Sequence, residues 1–139
     1  MAVFLDTNFI VSLFVENDAW HEDAEKLYYK YEKEEMYISN LVIAEAITLM
    51  KSHLEAKEIR EIYYNLPYYF KIIDDSKYYD EAMEYFVKYD GKIAFFDATY
   101  MTIMKNKEIY EIISFDKDFD NKEQIIRIFC HWIKIKEEQ

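Results

Sequence analysis

Four acidic residues stand out because of where they fall in the chain. Asp6 ends the apolar run Ala2-Val3-Phe4-Leu5, and Asp116 ends Glu111-Ile112-Ile113-Ser114-Phe115. Glu45 has Val42 three residues before it and Leu49 four after it, which places it inside the apolar stripe of a helix. Asp97 has Ala94, Met101 and Met104 at equivalent helical spacings. A carboxylate in such a stripe is costly unless it is paired or protonated. Taken singly, each has a plainer reading: strand-end acids are commonly turn or cap residues, and stripe acids often sit at a boundary or pair with a lysine. Taken together they differ, because two parallel neighbouring strands would bring all four to one sheet edge. Converging carboxylates repel one another strongly unless divalent cations neutralise them. Hard oxygen ligands without His or Cys select Mg²⁺ or Mn²⁺ rather than zinc. A site of that kind activates water and clamps a phosphate, so phosphodiester hydrolysis is the chemistry it suits.

The elements that must position these residues alternate along the chain. Ala2-Val3-Phe4-Leu5 is too short for a helix and reads as a strand buried on both faces. Residues 9–15 look helical, and Asn17 or Asp18 can cap a second helix reaching Glu34. Met36-Tyr37-Ile38 reads as a strand, with Ser39-Asn40 able to cap a helix over 41–53. A helix over 55–65 follows, with Pro67 enforcing its end. Residues 69–73 are β-prone, Ser76 caps a helix to Tyr89, and Gly91 terminates it. A helix over 93–106 precedes the strand that leads to Asp116, and a last strand is expected within 125–135. This alternation predicts one α/β domain over residues 1–139, a sandwich around a mostly parallel central sheet. Ligands of such sheets collect at the carboxyl ends of the strands.

Composition narrows the function classes. Asp and Glu number 28 against 17 Lys and Arg, a formal net charge of −11, which argues against a non-specific grip on nucleic acid or anionic membrane. It leaves open a nucleic-acid enzyme whose positive charge comes from metal ions or a local patch. A single glycine removes glycine-rich phosphate loops and dinucleotide-binding turns. Cys130 is alone, so neither an intramolecular disulfide nor a thiolate cluster can form. No apolar run approaches a membrane span, and the opening residues lack the character of a signal peptide, so a cytoplasmic protein is expected.

The ordered set of motifs also resembles a known family. Phe4-Leu5-Asp6-Thr7-Asn8 looks like the opening motif of the PIN domain family, and Ser39 with Glu45 after five intervening residues resembles its second acidic element. Phe96-Asp97-Ala98 is similar to the third, and Ser114-Phe115-Asp116-Lys117-Asp118-Phe119 to the final Thr-x-Asp-x-Asp-Phe element, with Ser in place of the usual Thr. Order and spacing agree across essentially the whole chain. The resemblance implies a PIN-like α/β/α sandwich and a metal-dependent endoribonuclease of the VapC-toxin type, cleaving RNA with Mg²⁺ or Mn²⁺. It also implies a homodimer and a neutralising antitoxin. Carried over by position, Asp6, Glu45 and Asp97 would ligate the principal metal, and Asp116 would complete the quartet directly or through water. Asp118 is the alternative to Asp116, since residues two apart on a strand point to the same side. Asn8 and Ser114 would hold carboxylates by hydrogen bonds, and Thr7 would either join them or cap the following helix.

Other candidates carry less. His21, His53 and His131 are scattered, and Cys130 beside His131 on a strand would point to opposite faces, a poor nucleophile–base pair. Lys51, His53, Lys57 and Arg60, and then Lys105 and Lys107, either guide RNA phosphates or form solvated helix faces. The tyrosine-rich stretches are read as core and dimer surface more than as base-stacking positions. An aspartyl-phosphate mechanism at Asp6 lacks its second acid, because Asn8 occupies that place. Two further readings stand beside the toxin: a PIN nuclease of RNA processing or ribosome maturation, and a non-catalytic PIN-like scaffold.

Overall fold

The computed structural model of the protein describes residues 1–129. Five short strands, β1 (Ala2–Leu5), β2 (Glu35–Ser39), β3 (Lys71–Ile73), β4 (Glu111–Ile113) and β5 (Ile126–Ile128), form one sheet in the order β3-β2-β1-β4-β5. Every neighbouring pair is parallel, with Phe4 of β1 set beside Tyr37 on one side and Ile112 on the other. Phe4, Leu5, Ile38, Ile112 and Ile113 are fully buried, which is why these strands read as continuous apolar runs rather than alternating ones.

Six helices connect them: α1 (Thr7–Phe14), α2 (His21–Tyr31), α3 (Asn40–Met50), α4 (Ala56–Tyr69), α5 (Tyr79–Lys88) and α6 (Phe95–Asn106). α1 packs against α2 and α3, and α3 touches α4; α5 and α6 pack on each other. The chain steps outward from β1 to β2 to β3, then crosses back to β4 and β5 on the other side of β1. Right-handed crossovers in opposite directions put α1–α4 on one face and α5–α6 on the other. The α/β/α sandwich is therefore present. The strand order reverses between β1 and β4, which opens a crevice at their carboxyl ends.

Local capping departs from the sequence expectation in three places. Ser39 precedes α3, yet its buried hydroxyl makes no cap bond. The backbone N–H of Leu41 instead donates to Asp75, a fully buried carboxylate in the loop after β3 that also accepts from the Tyr79 hydroxyl at 2.6 Å. α2 starts at His21, later than expected, and neither Asn17 nor Asp18 caps it; Asp18 serves the preceding loop. Ser76 opens a single 3-10 turn over Ser76–Tyr78 before α5 begins.

Pro67 does not end α4, which runs through to Tyr69. The proline withholds one hydrogen bond from the Tyr63 carbonyl, but both residues lie on the exposed face, where water can replace it. Buried Leu66 and Phe70 hold the last turn on the core, and the Phe70 N–H donates to the Leu66 carbonyl at 3.0 Å. Asp90, at φ +57°, and Gly91, at φ +67°, end α5 together: their N–H groups donate to the Val87 and Phe86 carbonyls at 2.9 and 2.8 Å. β4 and β5 are shorter than expected. Cys130, His131 and the rest of the expected last strand lie outside the described residues.

Asp75→Ala should strip a helix cap and leave the Leu41 N–H and Tyr79 hydroxyl without partners. We expect it to cost about 2 kcal/mol in urea denaturation with an unchanged m value, and Tyr79→Phe to cost about half as much.

Candidate functional site

Asp6 follows β1 directly and stands at the start of α1. Its backbone N–H continues the sheet by donating to the Ile113 carbonyl at 3.0 Å, so the residue is fixed relative to β4. Its carboxylate is buried, with Oδ1 accepting from the Thr7 N–H at 2.8 Å and Oδ2 from the Ser114 hydroxyl at 2.6 Å. Asp6, not Thr7, is thus the cap of α1. The hydroxyl of Thr7 turns the other way and donates to Glu45 Oε1 at 2.5 Å.

Glu45 lies on α3 beside the apolar stripe rather than within it. The buried residues of that helix are Val42, Ala46 and Met50, while Leu49 is 46% exposed. Besides Thr7, Oε1 of Glu45 accepts from the hydroxyl of Tyr100 on α6 at 3.1 Å. Tyr100 is fully buried against Phe4, with ring centroids 5.2 Å apart, and burial holds its phenol far above its usual pKa, so it remains a donor. Asp97 sits one turn earlier on α6, whose residues 97 to 104 are all buried. It is only 9% exposed.

The fourth acid stands on the loop after β4. Ser114, which bonds Asp6, also accepts from the Asp116 N–H at 3.0 Å. Asn8 braces the same loop, accepting from the Phe115 N–H at 3.2 Å. Asp116 caps a 3-10 turn over Lys117–Phe119 by accepting from the Asp118 N–H at 3.0 Å, and both acids are exposed. Arg127 of β5 ties the far end of the loop: Nε and Nη2 reach Asp120 at 2.7 and 3.2 Å, and Nη1 donates to the Ser114 carbonyl at 3.2 Å.

Burial and mutual repulsion set the electrostatics. Desolvation pushes Asp97 up to about 8, with Asp6, Asp118, Asp116 and Glu45 each adding to the rise. Desolvation raises Asp6 to about 7 against the opposing hydrogen bonds from Ser114 and Thr7, and Glu45 and Asp116 add to it. Asp118 is raised as well, by partial burial first and by Asp116 second. Among the described residues, no lysine or arginine forms an ion pair with Asp6, Glu45, Asp97 or Asp116. The donor set is therefore all oxygen, uncompensated and coupled, which suits a hard divalent cation. The groups feel one another's charge, yet no three acidic, imidazole or thiol groups among the described residues stand in ready-made coordinating geometry.

Two contributors escaped the sequence reading. Tyr100 lies three residues beyond Asp97, on the same side of α6, and that spacing was the available signal. Arg127 is a charge in the middle of an apolar strand, Ile126-Arg127-Ile128, the same kind of anomaly that drew attention to the acids. His21 bonds the Ser12 carbonyl and Glu25.

An all-parallel sheet with acids from β1, α3, α6 and the β4 loop at its switch point defines an α/β protein with a carboxylate-centred crevice. The model of the PIN domain matches residues 3–124, and the chain belongs to that family. Among solved structures it is similar in fold to VapC20 of Mycobacterium tuberculosis, a Sarcin-Ricin loop cleaving toxin, with 24% identity and a TM-score of 0.82 over 91% of this chain and 98% of that one. It is similar also to VapBC2 of Rickettsia felis bound to promoter DNA, with 16% identity and a TM-score of 0.71 over 92% and 98% of the two chains. A toxin–antitoxin complex from Klebsiella pneumoniae matches at 19% identity and a TM-score of 0.67, over 91% and 96%. Comparison with curated proteins gives no match.

The raised carboxyl groups fix the sign of one pH effect. Folded Asp6 and Asp97 hold protons more tightly than their ordinary value of 3.8, so their contribution to stability is full below about pH 4 and is lost as pH rises through about 7 and 8. In EDTA, the melting temperature should fall between about pH 5 and about pH 9. Asp97→Asn, which cannot ionise, should flatten that fall and melt about 3 °C or more above the parent at the alkaline end.

Proposed function

We propose that this protein is an endoribonuclease that hydrolyses RNA phosphodiester bonds with Mg²⁺ or Mn²⁺ and acts as the toxin of a toxin–antitoxin pair. The observation that carries this is the uncompensated cluster of Asp6, Glu45, Asp97 and Asp116 at the switch point of a PIN domain. The resemblance in fold to structures described as a toxin and as toxin–antitoxin complexes supports the toxin role. On the same footing we propose a cytoplasmic protein that assembles as a homodimer and is neutralised by an antitoxin. Exposed Tyr63, Tyr64, Tyr68 and Tyr69 give α4 an aromatic surface suited to a protein partner.

Bound in the crevice, the cation would supply a hydroxide nucleophile near neutral pH and positive charge against the phosphate. Asp6, Glu45 and Asp97 are the residues to hold it, with Asp116 or Asp118 completing the set from the loop. Ser114 and the Thr7 N–H orient Asp6, while the Thr7 and Tyr100 hydroxyls orient Glu45, so two of the acids present fixed oxygens. Asp116, on the solvent side of the cluster, is placed to accept a proton from an incoming water. An open groove lined by α1, the end of α3 and the β4 loop reaches Asp116 and is where an RNA strand would lie.

Purified protein should cut RNA with Mg²⁺ or Mn²⁺ and not in EDTA. Asp6→Asn and Asp97→Asn should abolish cutting while circular dichroism shows the fold retained; full activity in either variant, or in EDTA, rejects the proposal. Independently of activity, Mn²⁺ should raise the melting temperature of the parent, since binding to the native state stabilises it. Glu45→Gln should lose most of that rise.

A further inference from the structure

Beside the acids lies an open groove of about 630 Å³, shared between the β4 loop and the segment joining α1 to α2. Its most exposed large apolar side chain is Trp20, 48% exposed, stacked on Phe115 with ring centroids 5.0 Å apart and planes at 13°. A half-exposed indole gives up burial that a small domain ordinarily takes. Here one face is covered by Phe115 and the indole borders the groove.

The tryptophan is held, not loose. Asp18 Oδ2 accepts from the backbone N–H of Trp20 at 2.9 Å and from the Ser12 hydroxyl at 2.7 Å, and His21 Nδ1 bonds the Ser12 carbonyl at 2.8 Å. Phe115 is fixed in turn by Asn8, which accepts from its N–H. A flat ligand therefore meets a platform already in place, at little cost in ordering.

The rest of the groove says what the flat ligand is attached to. Phe115 is covalently next to Asp116, and Asp116 lines the groove with it, so the platform adjoins the acidic centre directly. Lys117 and His53 line the same space, and among the described residues neither forms an ion pair. An aromatic platform with a cationic side chain and an N–H donor beside it suits a phosphate-linked base, whose ring stacks while its phosphates are paired.

We propose that Trp20, backed by Phe115, is a stacking subsite for one unpaired RNA base near the scissile phosphate, with Lys117 and His53 taking the adjoining phosphates. This rests on the nuclease reading for its substrate and deepens it: the protein selects single-stranded or splayed-out nucleotides, because a base within a duplex has no free face to stack.

Binding without cleavage tests it. A single-stranded RNA of about eight nucleotides is titrated against the protein in EDTA, in parallel with an abasic ribose–phosphate oligomer of equal length and with the corresponding duplex. The chain has two tryptophans, so quenching at Trp20 is the part of the fluorescence change that Trp20→Phe removes. The single strand should quench Trp20 and bind more tightly than either control. Trp20→Ala should weaken the single strand about tenfold or more and leave the abasic oligomer unchanged, and Trp20→Phe should keep most of the affinity. Equal affinity of parent and Trp20→Ala for the single strand overturns the subsite. So does an equal loss for both oligomers, or no binding of the single strand to the parent. A protein that binds through Trp20 but cuts nothing with Mg²⁺ or Mn²⁺ keeps the subsite and removes the nuclease. Cutting with an unchanged KM in Trp20→Ala does the reverse.

Discussion

Carboxylates brought out of water and close to one another raise each other's energy, and much of the molecule is arranged around that cost. Asp6 and Asp97 are both buried and both pushed to pKa values near neutrality. What surrounds them is donors without charge: a backbone N–H, the Ser114 hydroxyl, and on Glu45 the hydroxyls of Thr7 and Tyr100. Such bonds fix oxygen positions and leave the net negative charge in place. A lysine in the same place would have stabilised the fold and closed the site to any other cation. The start of α1 adds a little more, since its N-terminal end carries partial positive charge beside Asp6.

The parallel sheet is what makes the gathering feasible. Four acids from four separate segments reach one place because every strand ends at the same edge, and because β1 and β4 are neighbours in the sheet. Bracing comes from the neighbours. Asn8 and Arg127 hold the β4 loop from either end, and Asp75 holds the start of the helix that carries Glu45. These contacts lie around the acids rather than among them, so the position of the carboxylates is supported from outside the crevice.

Much of the framework was legible in the residues, for an identifiable reason. Strands buried on both faces have to be short apolar runs, and they have to stop at something polar, which puts Asp6 and Asp116 at the same edge. What could not be read were interactions that close across the fold. Asp75 caps a helix 34 residues away, and nothing local in the chain marks it. Tyr100 is one of fourteen tyrosines, and only its neighbours distinguish it. The Glu45 stripe was misjudged because Leu49 is apolar yet faces the groove, where burial in a core is not its role. Pro67 was given too much authority, since a proline on a solvated face removes one bond and leaves an anchored helix intact.

The bond from Ser114 to Asp6 spans 108 residues of chain. During synthesis the Asp6 segment emerges 108 residues ahead of Ser114. No partial product leaving the ribosome can possess the assembled crevice. The bracing of Asp6 therefore waits for β4 and the loop that follows it, and a copy ending before β4 would lack the Ser114 bond.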